Sequence, residues 1–134
     1  MRSMFAAAAL AAGAFASAPA AAQNASQATT KTVELDMSNY AFAPSALTFR
    51  KDASYTLHIV NKSGKDHSFS SKPFFAAVDV DPADKSKIDG GDVEVDDGQS
   101  VDIAFTAKTP GSYAFECSHF LHASFGMTGT AIVQ

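Results

Sequence analysis

The feature that most constrains the fold is a two-residue alternation of apolar and more polar side chains. In SYTLHIVN (54–61), Tyr55, Leu57 and Ile59 alternate with more polar neighbours, and SVDIAFT (100–106) repeats the pattern with Val101 and Ile103. A period of two places the apolar side chains on one face of an extended strand, whereas a helix would scatter them around its axis. Both segments are therefore predicted to be half-buried strands.

Similar short runs, separated by turn residues, continue along the chain. The breaks contain the Gly, Asn, Asp and Pro that turns require, as in NKSGK (61–65). The segment 72–87 is the exception, and its spacing predicts a short helical crossover between sheets. The fold class expected is all-β, a sandwich or small barrel. Its eight predicted strands cover 32–37, 46–50, 54–61, 67–71, 92–95, 100–106, 112–117 and 128–133.

The N-terminal segment has the composition of a secretory signal peptide. It has one positive charge, at Arg2, followed by an Ala-rich apolar run and the small residues Ala20, Ala21 and Ala22. The run is too short and too rich in Ala to span a membrane. We expect cleavage after Ala22, a flexible lead-in at 23–31, and one domain at 32–134 in a periplasmic or secreted protein.

Charge narrows the range of partners. Removing Arg2 with the signal peptide leaves nine basic and 14 acidic residues, a formal net charge of −5. A negatively charged protein repels the phosphate backbone, so nucleic acid is not expected as a partner. Eight acids lie between residues 79 and 97, and they favour a solvated connection over a docking patch for a basic partner. Their spacing does not match a calcium loop. These acids are Asp79, Asp81, Asp84, Asp89, Asp92, Glu94, Asp96 and Asp97.

The only cysteine belongs to a group of soft metal ligands. Cys117 cannot form an intramolecular disulfide, and on the count alone it could be either an inert buried thiol or a functional one. Cys117, His122 and Met127 have C-x4-H-x4-M spacing between two predicted strands. Thiolate, imidazole and thioether ligands together select copper, and a site of this kind needs a second histidine from elsewhere in the chain.

Two segments carry a resemblance to a known family. N-K-S-G-K-D-H-S-F, which contains His67, and Y-A-F-E-C-S-H-F-L-H-A-S-F-G-M resemble the ligand segments of cupredoxins, the family that includes plastocyanin, azurin and rusticyanin. The resemblance covers residues 32–133, including an N-terminal hairpin turn at 40–44. It implies a Greek-key β-sandwich that binds one copper ion through His67, Cys117 and His122, with Met127 as a weak axial ligand. It also implies that Ser68 hydrogen-bonds to the ligand loop.

The ligand loop leaves one alternative open. Many cupredoxins have Pro-Gly before the second histidine, whereas this chain has Phe120 and Leu121. His119 could in principle replace His122 as ligand. We favour His122 because it keeps the spacing to Met127 that the resemblance implies.

The resemblance implies a carrier of single electrons and not an enzyme. Phe69, Phe115 and Phe125 are expected to bury the site. A redox partner is expected to dock weakly near His122 on a monomer that does not insert stably into a membrane.

Other functions fit the sequence less well. The main alternative is a copper module for delivery or buffering, although delivery favours an open or Met-rich site. A multicopper oxidase fragment needs a His-Cys-His triplet, but Glu116 and Ser118 flank Cys117, and a binuclear copper centre needs two cysteines. A metal-free sandwich would leave the unpaired Cys117 unexplained.

Overall fold

Two five-stranded sheets pack face to face in the computed structural model, which describes residues 29–134. Strand order is β2-β1-β4-β8-β6 in the first sheet and β3-β10-β9-β5-β7 in the second. The strands are β1 (Lys31–Ser38), β2 (Ala41–Ala43), β3 (Ala46–Phe49), β4 (Ser54–Asn61), β5 (His67–Ser70), β6 (Val78–Val80), β7 (Asp92–Val95), β8 (Ser100–Ala107), β9 (Gly111–Glu116) and β10 (Thr128–Val133).

The all-β sandwich and the eight predicted strands are confirmed, and two strands are added to them. β2 pairs antiparallel with β1 to form a hairpin, and β6 pairs with β8 at the edge of the first sheet. Each is three residues long. Strands this short show too little alternation to be recognised from sequence.

The alternation in β4 and β8 defines the core. Tyr55, Leu57 and Ile59 are buried, while Thr56 and His58 on the opposite face are partly exposed. β8 lies beside β4 in antiparallel register and buries Ile103 and Phe105. A large share of the buried core is aromatic, and the rings mostly meet edge to face, as in the Phe42–Phe115 pair at 5.1 Å between centroids.

The predicted crossover is present as a short helix, α1 (Lys72–Ala77). The Ser71 hydroxyl accepts a hydrogen bond from the Phe74 amide at its start and donates to the Ala114 carbonyl of β9 at 2.6 Å. The helix connects β5 in the second sheet to β6 in the first. The segment between residues 79 and 97 then returns to the second sheet, and several of its acids bind nearby backbone: Asp97 accepts from the Gly64 amide at 2.8 Å.

The predicted signal peptide and most of the lead-in lie outside the described residues. β1 begins at Lys31, the last residue assigned to the lead-in. In residues 29–134 there is no helix with the length and apolar character needed to cross a membrane.

Gly129 of β10 is required by the packing of Phe115. These residues are paired across β9 and β10, and the ring of Phe115 occupies the space where a side chain at 129 would begin. A Cβ at this position would overlap the ring edge and lie 2.6 Å from the Ser45 carbonyl oxygen.

We therefore predict that Gly129→Ala lowers the free energy of unfolding by about 1–3 kcal/mol, the usual cost of overpacking a core. Urea unfolding measures this change. Thr128→Ala, at the exposed neighbouring position of the same strand, serves as the control and should change stability by less than about 0.5 kcal/mol. Equal stability of the Gly129 variant and the native protein would contradict the steric argument.

Candidate metal centre

One end of the second sheet brings together residues that are far apart in sequence. His67 begins β5, and Cys117 directly follows β9. The two strands are antiparallel neighbours, so the start of one lies beside the end of the other. His122 comes from the loop that connects β9 to β10.

Three metal-binding atoms converge at this end. The Nδ1 atoms of His67 and His122 are 3.1 Å apart, and the Cys117 Sγ lies 3.4 Å from the His122 Nδ1 and 3.8 Å from the His67 Nδ1. Bonds of about 2.0–2.3 Å from one first-row metal ion to nitrogen and sulfur require separations of this order. Two imidazoles and a thiolate fit copper.

Burial differs among the three residues. His67 and Cys117 are 0% and 1% exposed, whereas His122 is partly exposed. Burial, followed by the charges of His122 and His119, lowers the pKa of His67, and burial, followed by the charge of His119, lowers the pKa of His122. Both shifts favour the neutral imidazole, which is the form that binds a metal.

Met127 closes the loop that carries Cys117 and His122. It is 0% exposed and belongs to the same buried cluster as Cys117. Its carbonyl accepts a hydrogen bond from the Cys117 amide at 3.1 Å, and its amide donates to the His122 carbonyl at 3.1 Å. The backbone thus ties the position of Met127 to both other residues of the loop.

The hydrogen bonds expected of Ser68 are present. Its amide donates to the Cys117 Sγ at 3.4 Å, which places a positive dipole against the sulfur. Its hydroxyl accepts from the Ser118 amide at 2.9 Å and lies 2.8 Å from the Ser118 hydroxyl. Ser68 therefore links the strand that carries His67 to the loop that carries Cys117.

His119 does not join the cluster. Its Nε2 lies 2.7 Å from Glu94 Oε1, and its ring stacks on His122 with centroids 5.4 Å apart and an interplanar angle of 14°. His122 is therefore the loop histidine that lies beside His67 and Cys117. His119 instead packs against the outside of the His122 ring.

The departure from Pro-Gly before His122 has a structural counterpart. Leu121 adopts the left-handed backbone conformation, with φ of 64°. This is the region that glycine enters without steric cost and other residues seldom occupy. The loop thus keeps a glycine-like turn although it lacks the glycine.

The aromatic surroundings differ from the expectation at one residue. Phe69 and Phe115 are buried, in keeping with the expectation that they bury the site, but Phe125, which was expected to do the same, is 59% exposed. Phe125 lies in a surface turn at 123–125, where its ring packs outside Tyr40. Tyr40 covers the site instead, with its ring centroid 4.9 Å from that of His122.

Asn39 and Tyr40 are the contributors that sequence reasoning missed. They form the loop between β1 and β2, and Asn39 Oδ1 lies 2.8 Å from His67 Nε2. No spacing motif connects them to the histidines. The available signal was the predicted hairpin turn itself, which gave no indication of what its tip would contact.

A comparison with protein families identifies the chain. The model of the cupredoxin-like domain matches residues 6–133. The chain belongs to this family. The family binds one copper ion, and His67, Cys117 and His122 form a group that could hold a metal ion. A comparison with curated protein sequences gives no match.

Solved structures share the fold of this cupredoxin. Reduced auracyanin from Roseiflexus castenholzii is 22% identical, with a TM-score of 0.59 over 78% of this chain and 98% of its own. Auracyanin A from Chloroflexus aurantiacus, described as a "blue" copper protein, is 20% identical, with a TM-score of 0.55 over 79% and 100%. A multi-copper oxidase from Pseudomonas thermotolerans is 14% identical, with a TM-score of 0.62 over 80% of this chain but 30% of its own.

Proposed function

We propose that this cupredoxin carries single electrons with one copper ion bound by His67, Cys117, His122 and Met127. The convergence of three metal-binding atoms from two parts of the chain carries the proposal. Copper supplies the one-electron couple. The likeness to auracyanins, one of which is described as a blue copper protein, supports the same function.

The proposed ligands would form a site that changes little between oxidation states. Cu(I) favours few soft ligands and Cu(II) favours nitrogen and oxygen, so two imidazoles, a thiolate and a weak thioether suit both states in part. His67 and Cys117 are buried, and the backbone contacts of Met127 brace the loop. Such restraint would keep the rearrangement of these residues during electron transfer small.

A redox partner would meet the protein next to His122. Three exposed apolar side chains, which we call the rim, lie on this loop: Phe120 is 87% exposed, Leu121 47% and Phe125 59%. A small apolar contact surface suits the weak, brief encounters of electron-transfer proteins. We propose that the protein acts as a monomer and docks its partner on the rim.

Copper delivery or buffering is the second candidate, and the buried site argues against it. His67, Cys117 and Met127 are each no more than 1% exposed and His122 is only partly exposed, so little of the site is open to a receiving protein. The sequence next to Cys117 does not support a multicopper oxidase. Such an enzyme needs a histidine on each side of the cysteine, whereas this chain has Glu116 and Ser118.

We place this activity in the periplasm or outside the cell, on the basis of the predicted signal peptide. The proposed organisation is a cleaved segment at 1–22, a lead-in at 23–31 and the copper domain at 32–134. Mass spectrometry of the protein purified from its native host tests the cleavage after Ala22.

Visible absorption during Cu(II) titration tests the copper site. We expect one equivalent of Cu(II) to produce an intense thiolate charge-transfer band in the native protein. Cys117→Ser should abolish the band because a hydroxyl is a much poorer copper ligand than a thiolate, while circular dichroism should show the fold retained. Persistence of the full band in the variant would exclude Cys117 as a ligand.

Paired variants test the choice of loop histidine. His122→Ala should open a coordination position that added imidazole fills, with a change in the visible spectrum. His119→Ala should leave the spectrum nearly unchanged, since the His119 Nε2 bonds to Glu94 outside the cluster. The reverse behaviour would assign the ligand to His119.

The axial role of Met127 is tested by voltammetry. Met127→Leu should retain copper and colour but raise the reduction potential, because loss of a weak thioether ligand disfavours Cu(II) more than Cu(I). Leu preserves the bulk of this buried side chain, so the core should remain packed. An unchanged or lowered potential would mean that Met127 only fills the core.

A further inference from the structure

We infer that Asn39 is a positioning residue for copper: its side-chain oxygen holds the proton of His67 on Nε2 and so leaves Nδ1 free for the metal. The expected effect on the reduction potential rests on the proposed function. The expected effect on the tautomer of His67 concerns the metal-free protein and does not depend on that function.

The first step is the orientation of the Asn39 amide. One end of this group lies 2.9 Å from the carbonyl oxygen of Ser63, which can only accept a hydrogen bond. That end must therefore be the NH₂ group. The other end, which faces His67, is the carbonyl oxygen Oδ1 at 2.8 Å.

The second step follows for the imidazole. Because Oδ1 has no proton, the His67 Nε2 must donate the hydrogen bond. A neutral imidazole has one proton, so the His67 Nδ1 keeps a lone pair. This atom is the one that lies 3.1 Å from the His122 Nδ1 and 3.8 Å from the Cys117 Sγ.

Burial makes the Asn39 contact consequential. His67 is 0% exposed, so its Nε2–H depends on the Asn39 oxygen for a hydrogen bond. Asn39 itself is exposed, and a water that replaced its side chain could either accept from or donate to the ring nitrogen, so it would not hold the proton on Nε2. Tyr40 occupies the adjoining position, with its ring edge-on to His67 at 6.3 Å between centroids and 89° between planes. The tip of the β1–β2 hairpin thus restrains both the proton and the orientation of the ring.

Two substitutions separate the two hydrogen bonds of Asn39. Asn39→Asp keeps an oxygen acceptor for His67 but loses the donor to Ser63, while Asn39→Ala loses both. Ser38→Ala, at the adjacent residue of the same hairpin, is the control. The tautomer of His67 is read from its ring ¹⁵N shifts in the metal-free protein at a pH of about 8, above the ordinary histidine pKa.

We expect the native protein, Asn39→Asp and Ser38→Ala to hold the proton on Nε2, and Asn39→Ala to shift the ratio of tautomers about tenfold toward Nδ1–H. In the copper-loaded proteins, Asn39→Asp should lower the reduction potential, because a carboxylate acceptor makes the imidazole a stronger donor to Cu(II). Asn39→Ala should raise it.

Three results would overturn the inference. One is an unchanged tautomer ratio in Asn39→Ala, and another is an equal shift in the Asp and Ala variants, which would assign the role to the bond with Ser63. The third is a potential in Asn39→Asp that is not lowered. The tautomer measurement needs no metal, so its result stands apart from failure of the native protein to bind copper.

Discussion

The hydrogen bonds of Ser68 are the interaction on which the metal centre depends. β5 and β9 share a single paired position, Ser70 with Glu116, before the chain leaves the ladder. Beyond it, Ser68 bonds to the Cys117 sulfur and to the backbone of Ser118. These contacts continue the connection between two separating strands at the point where one supplies a histidine and the other a cysteine. A weaker connection here would let His67 and Cys117 move apart.

The fold was predictable where the sequence shows a clear period. Alternation located β4 and β8, and turn residues marked the ends of six more strands. The three-residue strands β2 and β6 were missed because segments as short as AFA and VDV cannot establish a period, and only their neighbours make them strands. The cluster of His67, Cys117 and His122 agrees with the spacing of the two ligand segments.

Contacts between distant segments could not be predicted from the sequence. Asn39 reaches His67 across 28 positions, and no pattern marks either residue as a partner of the other. Phe125 was misplaced for a related reason: it was expected to bury the site, but the turn at 123–125 leaves it on the surface while Tyr40 covers His122. A hydrophobic residue in a loop indicates an apolar environment without specifying whether this lies in the core or at a contact surface.

The left-handed backbone conformation of Leu121 destabilises this loop. A residue with a Cβ costs about 1–2 kcal/mol there, a cost that glycine would avoid. The loop keeps a branched apolar side chain, 47% exposed, beside His122. Leu121→Gly would therefore relax the backbone and at the same time remove part of the rim on which we propose that a partner docks. If the rim is the docking surface, a single residue sets thermal tolerance against choice of partner.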